Sequence, residues 1–129
     1  MNIEELTYKI RGCIFEVFRE MGPGLLESVY EAALIFELNT QNLNVQSQIP
    51  VPVPVIYKSI PLELGFRVDL LVENEVIIEV KSVELLHDLH KKQLLNYLKL
   101  TGKKVGFLVN FNASKLIDKE SIIRIVNNY

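Results

Sequence analysis

Three charged residues, Asp69, Glu79 and Lys81, interrupt two segments that otherwise read as buried strands. The first segment is Arg67-Val68-Asp69-Leu70-Leu71-Val72. The second is Val76-Ile77-Ile78-Glu79-Val80-Lys81, and the polar turn Glu73-Asn74-Glu75 joins them. An unpaired buried charge is costly, and charged side chains are seldom fully buried without a partner. A three-residue turn centred on Asn74 pairs positions whose numbers sum to 148, which sets Asp69 opposite Glu79. Directly opposed residues of an antiparallel pair share a face, with Cβ atoms about 4.5–5.5 Å apart. Lys81 falls on the same face about 6.6 Å further along. Two bare carboxylates that close repel, so one pKa rises unless a cation lies between them. A small set of hard oxygen donors suits Mg2+ or Mn2+. The expected chemistry is a divalent-metal site with an amine beside it. A bulge or a two-residue turn would send the two carboxylates to opposite faces. Arg67 shares the expected face of Asp69, where it would hold a phosphate, neutralise Glu79 or, most simply, pair with a neighbouring acid.

The surrounding chain must supply elements that hold this hairpin. Ile3, Leu6, Ile10, Cys13, Ile14, Val17 and Met21 recur at helical spacing, and Gly22-Pro23-Gly24 stops that helix. A second helix is expected from about Leu25 to Thr40. On it Glu27, Tyr30, Glu31 and Leu34 occupy one face. Tyr30 reads as a packing residue with a hydrogen-bonded hydroxyl. Prolines 50, 52 and 54 then remove the N–H groups along one edge of a strand, which marks it as an outer strand. A two-residue turn at Lys58-Ser59 gives pairs summing to 117. Ile49, Val51, Val53 and Val55 would then face Val68, Phe66, Leu64 and Leu62, an apolar set that fixes one buried face and leaves Asp69 and Arg67 on the other. A third helix runs from about His87 to Leu100, and a strand follows from Lys104 to Phe111. Strand, helix, strand implies a right-handed parallel crossover. Residues 121–127 add a last strand. His87 and His90 lie three apart on the third helix and, with no cysteine nearby, do not read as a zinc site. The expected fold is α/β, with element order ααβββαβ(β), a mixed sheet and helices on both faces.

Bulk properties bound the partners. At 129 residues the chain is expected to form a single domain, residues 1–129, and half of it is apolar. No apolar run is long enough to cross a membrane, and the acidic N-terminus lacks a leader pattern, so a cytoplasmic protein is expected. The single cysteine, Cys13, excludes an internal disulfide and reads as a core residue. The net charge of −2 gives no blanket attraction to nucleic acid. The stretch from Lys91 to Lys104 nevertheless carries five lysines and no acid, and Lys91 and Lys92 are its phosphate-facing candidates. A solvated helix face with a basic C-terminal end reads equally well.

Asp69, then Glu79-Val80-Lys81, on the second and third strands of this order resembles the PD-(D/E)xK nuclease superfamily, with Val68 in place of its proline. Gly24-Leu25-Leu26-Glu27-Ser28-Val29-Tyr30, the Val-Pro pairs, Asp69-Leu70-Leu71-Val72 and Gln93-Leu94-Leu95-Asn96-Tyr97-Leu98 resemble the GxxExxY family within it. The resemblance covers nearly the whole chain. Phe18 stands where many members have histidine. The resemblance implies a restriction-endonuclease-like core and metal-assisted phosphodiester hydrolysis of DNA or RNA. Asp69 and Glu79 would be the metal pair, with the Val80 carbonyl and Glu27 as further ligands. Lys81 would orient or deprotonate the attacking water, while Gln93 and Tyr97 support the site and His90, which matches a family histidine, would line it. Any sequence specificity would need a protein partner or a homodimer. A nuclease-fold binding or adaptor module with little chemistry is the alternative, and a metal-binding regulatory subunit is a third reading.

Overall fold

The computed structural model describes residues 1–51, 55–62 and 66–129. Two helices come first, α1 (Ile3–Met21) and α2 (Glu27–Thr40). Strands β1 (Val45–Val51), β2 (Val55–Tyr57), β3 (Ile60–Leu62), β4 (Phe66–Val72) and β5 (Val76–Lys81) follow. Helix α3 (Asp88–Thr101) and strands β6 (Val105–Asn110) and β7 (Ile122–Val126) complete the order. Five strands form one mixed sheet in the order β1-β4-β5-β6-β7, and β2 and β3 form a separate ribbon. The α/β architecture and the helices on both faces are as expected.

The α1 stripe Leu6, Ile10, Cys13, Ile14 and Val17 is buried. It packs with Leu34 and Leu38 of α2 against Leu70, Val72, Ile78, Val80 and Val109 of the sheet. Burial pushes the Cys13 thiol up to about 11, which suits an inert core residue. On the opposite face Leu94 and Leu98 of α3 cover Val68, Leu71, Ile77, Leu108 and Ile123. Each fully buried aliphatic side chain contributes about 1.5–3 kcal/mol. A Cβ at Gly106 would meet Leu94 Cδ1 at 3.0 Å, so glycine lets α3 lie close on β6.

Both arithmetic registers hold. Leu70 pairs with Ile78 and Val72 with Val76, each summing to 148. Glu73 and Asn74 take left-handed backbone angles in the connecting turn. Val45 pairs with Val72, Ile49 with Val68 and Tyr57 with Ile60, each summing to 117. Lys58 and Ser59 are left-handed as well, the geometry of a two-residue hairpin turn. The expected pairing of Val53 with Leu64, and the burial of Val51, Val55, Leu62 and Phe66, lie outside the described residues. Strand β1, which carries Pro50, is at a sheet edge as expected, and it begins at Val45, three residues before the expected start. β5 and β6 are parallel across α3.

One expectation fails. Side chains do not alternate evenly along β4: Val68 and Leu71 pack on the α3 side, while Leu70 and Val72 pack on the α1–α2 side. β1 changes phase at the same level, with Ile49 on the α3 side and Val45 on the other. Gln48, which stands opposite Asp69 in this register, has φ +50 and drops out of the ladder. The face of Asp69 therefore does not follow from that of Arg67. A left-handed residue other than glycine costs about 1–2 kcal/mol, a strain often found beside functional groups.

Candidate functional site

The β4–β5 ladder ends at Leu70 and Ile78, and beyond it two carboxylates take over the backbone bonding. The Asp69 amide donates to Glu79 Oε1 at 3.2 Å, and the Val80 amide donates to Asp69 Oδ2 at 2.8 Å. Each acid thus satisfies the opposite strand where the two strands part. β5 itself stays paired with β6 as far as Lys81 and Asn110. The sheet geometry therefore brings Asp69 and Glu79 together, as the turn arithmetic expected.

Glu79 is only 6 % exposed. Burial, and next the charge of Asp69, push its carboxyl up to about 8, while Lys81 pulls the other way. Close to neutrality the pair therefore retains a proton that isolated carboxylates would have lost. Two adjoining carboxylates, each with one oxygen on a backbone amide and the two carboxyls hydrogen-bonded to each other, form a pair of hard oxygen donors of the kind a divalent cation takes. Lys81 is half-buried on the Glu79 side of β5, and its charge reaches Glu79, Glu31 and His90.

Glu27 Oε2 accepts the Ser82 amide at 3.2 Å, one residue beyond Lys81. Among the described residues no three His, Cys, Asp or Glu side chains sit at metal-cluster spacing, so Glu27 does not converge with Asp69 and Glu79 on one point. The carboxylate one turn further along α2, Glu31, is the one the sequence reading left out. Burial and then the charge of Asp69 push it up, with Glu27 adding and Lys81 opposing. Gln48 Nε2 donates to Glu31 Oε1 at 2.7 Å, so the strained edge residue ties the helix acid to the strand bearing it. No sequence signal marks Gln48, whereas Glu31 was visible on the same helix face as Glu27.

Tyr30 acts as a clasp. It is fully buried and stacks on Phe111 with ring centres 4.5 Å apart. Its hydroxyl donates to the Gly22 carbonyl at 2.5 Å and accepts the Leu25 amide at 3.1 Å. Gly24, at φ +94, allows the loop to turn there. The Leu25 carbonyl in turn accepts Ser82 Oγ at 2.6 Å. From the other side Asn110 Oδ1 accepts the Val83 amide, and its Nδ2 donates to the Val83 carbonyl. The Gly-x-x-Glu-x-x-Tyr spacing thus builds a brace on the corner that follows Lys81. Tyr30→Phe keeps the stacking and removes both hydroxyl bonds, so it is expected to cost about 1–2 kcal/mol in urea denaturation. An unchanged midpoint would show that the brace is not under load.

The other candidates divide. Tyr97 is half-buried, and burial followed by the charges of Glu79 and Asp69 pushes its hydroxyl up, which places it beside the pair. Gln93 is exposed and makes no hydrogen bond among the described residues. Arg67 is exposed, and among the described residues no ion pair joins it to an acid. Lys91 lies 3.7 Å from Asp88, and Lys92 is exposed. No described helix is long and apolar enough to cross a membrane.

The model of one protein family, the PD-(D/E)XK nuclease superfamily, matches residues 4–125. Comparison with curated proteins and with solved structures gives no match in either case.

Proposed function

Since this chain belongs to the PD-(D/E)XK nuclease superfamily, we propose that it is a metal-dependent nuclease, of the GxxExxY group, that hydrolyses phosphodiester bonds in DNA or RNA. The observation that carries this reading is the reciprocal bonding of Asp69 and Glu79 where β4 and β5 part, with Lys81 two residues on. Asp69 and Glu79 would hold Mg2+ or Mn2+, with the Val80 carbonyl beside them. Such a cation supplies Lewis-acid polarisation of the phosphoryl oxygen and acidifies attacking water. Lys81 offers an ammonium for the charge that builds on the phosphate and for orienting the nucleophile. Glu31, held by Gln48, adds negative charge on the α2 side of the pair, and Glu27 fixes the Lys81–Ser82 corner. Tyr97 lines the pair from the α3 side. Lys91 and Lys92 lie near the start of α3, where they serve as phosphate contacts. A homodimer or a protein partner supplies any sequence specificity. Access to nucleic acid in the cytoplasm fits this role.

The test is incubation of the purified protein with plasmid, linear and single-stranded DNA and with RNA, in Mg2+ or Mn2+. Wild type is expected to cleave at least one of these, and Asp69→Asn to lose all measurable cleavage with its fold intact by circular dichroism. Cleavage unchanged in Asp69→Asn would overturn the site assignment. Binding without cleavage in the wild type would make the chain an adaptor instead.

A further inference from the structure

Among the described residues, β2 and β3 form a ladder of their own outside the five-stranded sheet. Their paired positions sum to 117, as do those of β1 and β4, so the ribbon is the outer part of one long hairpin. That hairpin leaves the sheet past Arg67, at the end where β4 and β5 part around Asp69 and Glu79. Ile60 lies nine residues before Asp69, a reach of about 30 Å at full extension. One turn of DNA is about 34 Å, so the tip stays within one turn of a phosphate held at the carboxylate pair.

Tyr57 and Ile60 pair directly across the Lys58-Ser59 turn, so both side chains lie on one face. They are 59 % and 58 % exposed. Lys58 Nζ lies 5.5 Å from the centre of the Tyr57 ring, which holds the ammonium against this apolar face. Holding the hairpin closed is the plainest use of such a pair, and it contributes only about 0.2–1 kcal/mol. Charge points to a partner as well. Residues 38–62, between Glu37 and Glu63, contain no acid in a chain that has 16, and Lys58 is their only charge. Arg67, at the root of the ribbon, is exposed and has no ion pair among the described residues. A polyanion thus meets a cation at the tip and another at the root.

We propose that the β2–β3 ribbon is a DNA-binding arm whose tip residues Tyr57, Lys58 and Ile60 enter the major groove of double-stranded DNA held at Asp69 and Glu79. The inference rests on the nuclease reading above and gives it a substrate class. The major groove is about 12 Å wide and admits a two-stranded ribbon. A single strand offers no groove, and the major groove of an RNA duplex is too deep and narrow for side chains to read. In DNA the apolar pair meets thymine methyl groups, and Lys58 meets a phosphate on the groove wall. A symmetric tip-to-tip contact between two copies of the chain would set Lys58 against Lys58, which disfavours that other occupant.

Two double substitutions test the arm without loosening its turn. Lys58 and Ser59 have positive φ, so Lys58→Asn with Ser59→Gly suits the turn while removing the charge. Tyr57→Thr with Ile60→Thr keeps a strand former at each position and removes the apolar face. Both variants should melt with the wild type. In fluorescence anisotropy with Ca2+, wild type is expected to bind a short DNA duplex more tightly than a single strand or an RNA duplex of the same sequence. The Lys58/Ser59 variant is expected to bind it about three- to tenfold more weakly and to flatten the slope of log K against log salt by about 0.9, the loss of one phosphate contact. The Tyr57/Ile60 variant is expected to bind about tenfold more weakly with the slope unchanged. Wild-type duplex affinity in both variants, or no preference for the DNA duplex, would overturn the arm. A dimer in sedimentation that the Tyr57/Ile60 variant abolishes while keeping its duplex affinity would give the tip to a second copy instead. If Asp69→Asn ends cleavage while both tip variants bind as wild type, only the arm fails. If the wild type cleaves nothing and the tip variants still lose duplex affinity, the arm stands and the nuclease reading fails.

Discussion

Glu79→Gln is expected to stabilise the metal-free protein at pH 8 and to end its cleavage of nucleic acid. The stability half follows from linkage. In the unfolded chain this carboxyl ionises around its ordinary value of 4.5, and in the fold it does so at about 8. Between those values the native state holds a proton that the unfolded state has released, so stability falls as pH rises through the window. The penalty is absent below the lower value and complete above the upper one. Glutamine resembles the protonated acid at every pH and escapes it, for a gain on the order of a few kcal/mol at pH 8. Melting curves in chelator at pH 5 and pH 8 test this: the variant should match the wild type at the lower pH and exceed it clearly at the higher. A constant difference at both would show that burial of this charge is not the source. The activity half follows because glutamine cannot replace the carboxylate charge that holds a cation. Titration calorimetry should show Mn2+ binding lost together with cleavage.

Lys81→Met is expected to separate the same two properties in the opposite way. Methionine keeps most of the side-chain volume and removes the ammonium. Asp69 and Glu79 remain, so Mn2+ should still bind, whereas cleavage should drop by about 10²–10⁴, the usual range for losing a positioned proton-transfer or charge-stabilising group. The fold should tolerate the change, since the Lys81 side chain makes no hydrogen bond or ion pair among the described residues. Loss of Mn2+ binding in Lys81→Met would show instead that the lysine orders the carboxylates.

Much of the scaffold was legible because it obeys local rules. Prolines at alternate positions can be satisfied only at an edge, and two turns of known length set both registers by counting. The pairing of Asp69 with Glu79 followed from the count across the Asn74 turn. What counting could not reach was the change of phase at Gln48 and Asp69, since nothing in glutamine announces a left-handed backbone. Glu27 was assigned to the cation by resemblance. The fold shows one of its oxygens accepting the Ser82 amide, a contact between residues 55 positions apart that no local pattern encodes. Glu31 stood on the same helix face from the start, but its nearness to Asp69 needed the packing of α2 on the sheet. Asn110 ends an apolar strand, and its bonds to Val83, 27 residues away, needed the fold to be seen.

The brace around Ser82 has a kinetic consequence. Its bonds to Leu25 and Glu27 span 57 and 55 residues, whereas the β4–β5 turn closes over a handful. Loop closure of that length is entropically expensive until the sheet and α2 are already in place, so these contacts close late in folding. Groups that close late can also open first without unfolding the core. The Lys81–Val83 corner is thus a low-stability unit set on a rigid sheet. Its amides should exchange with solvent faster than those of β6, and a bound strand of nucleic acid would slow that exchange.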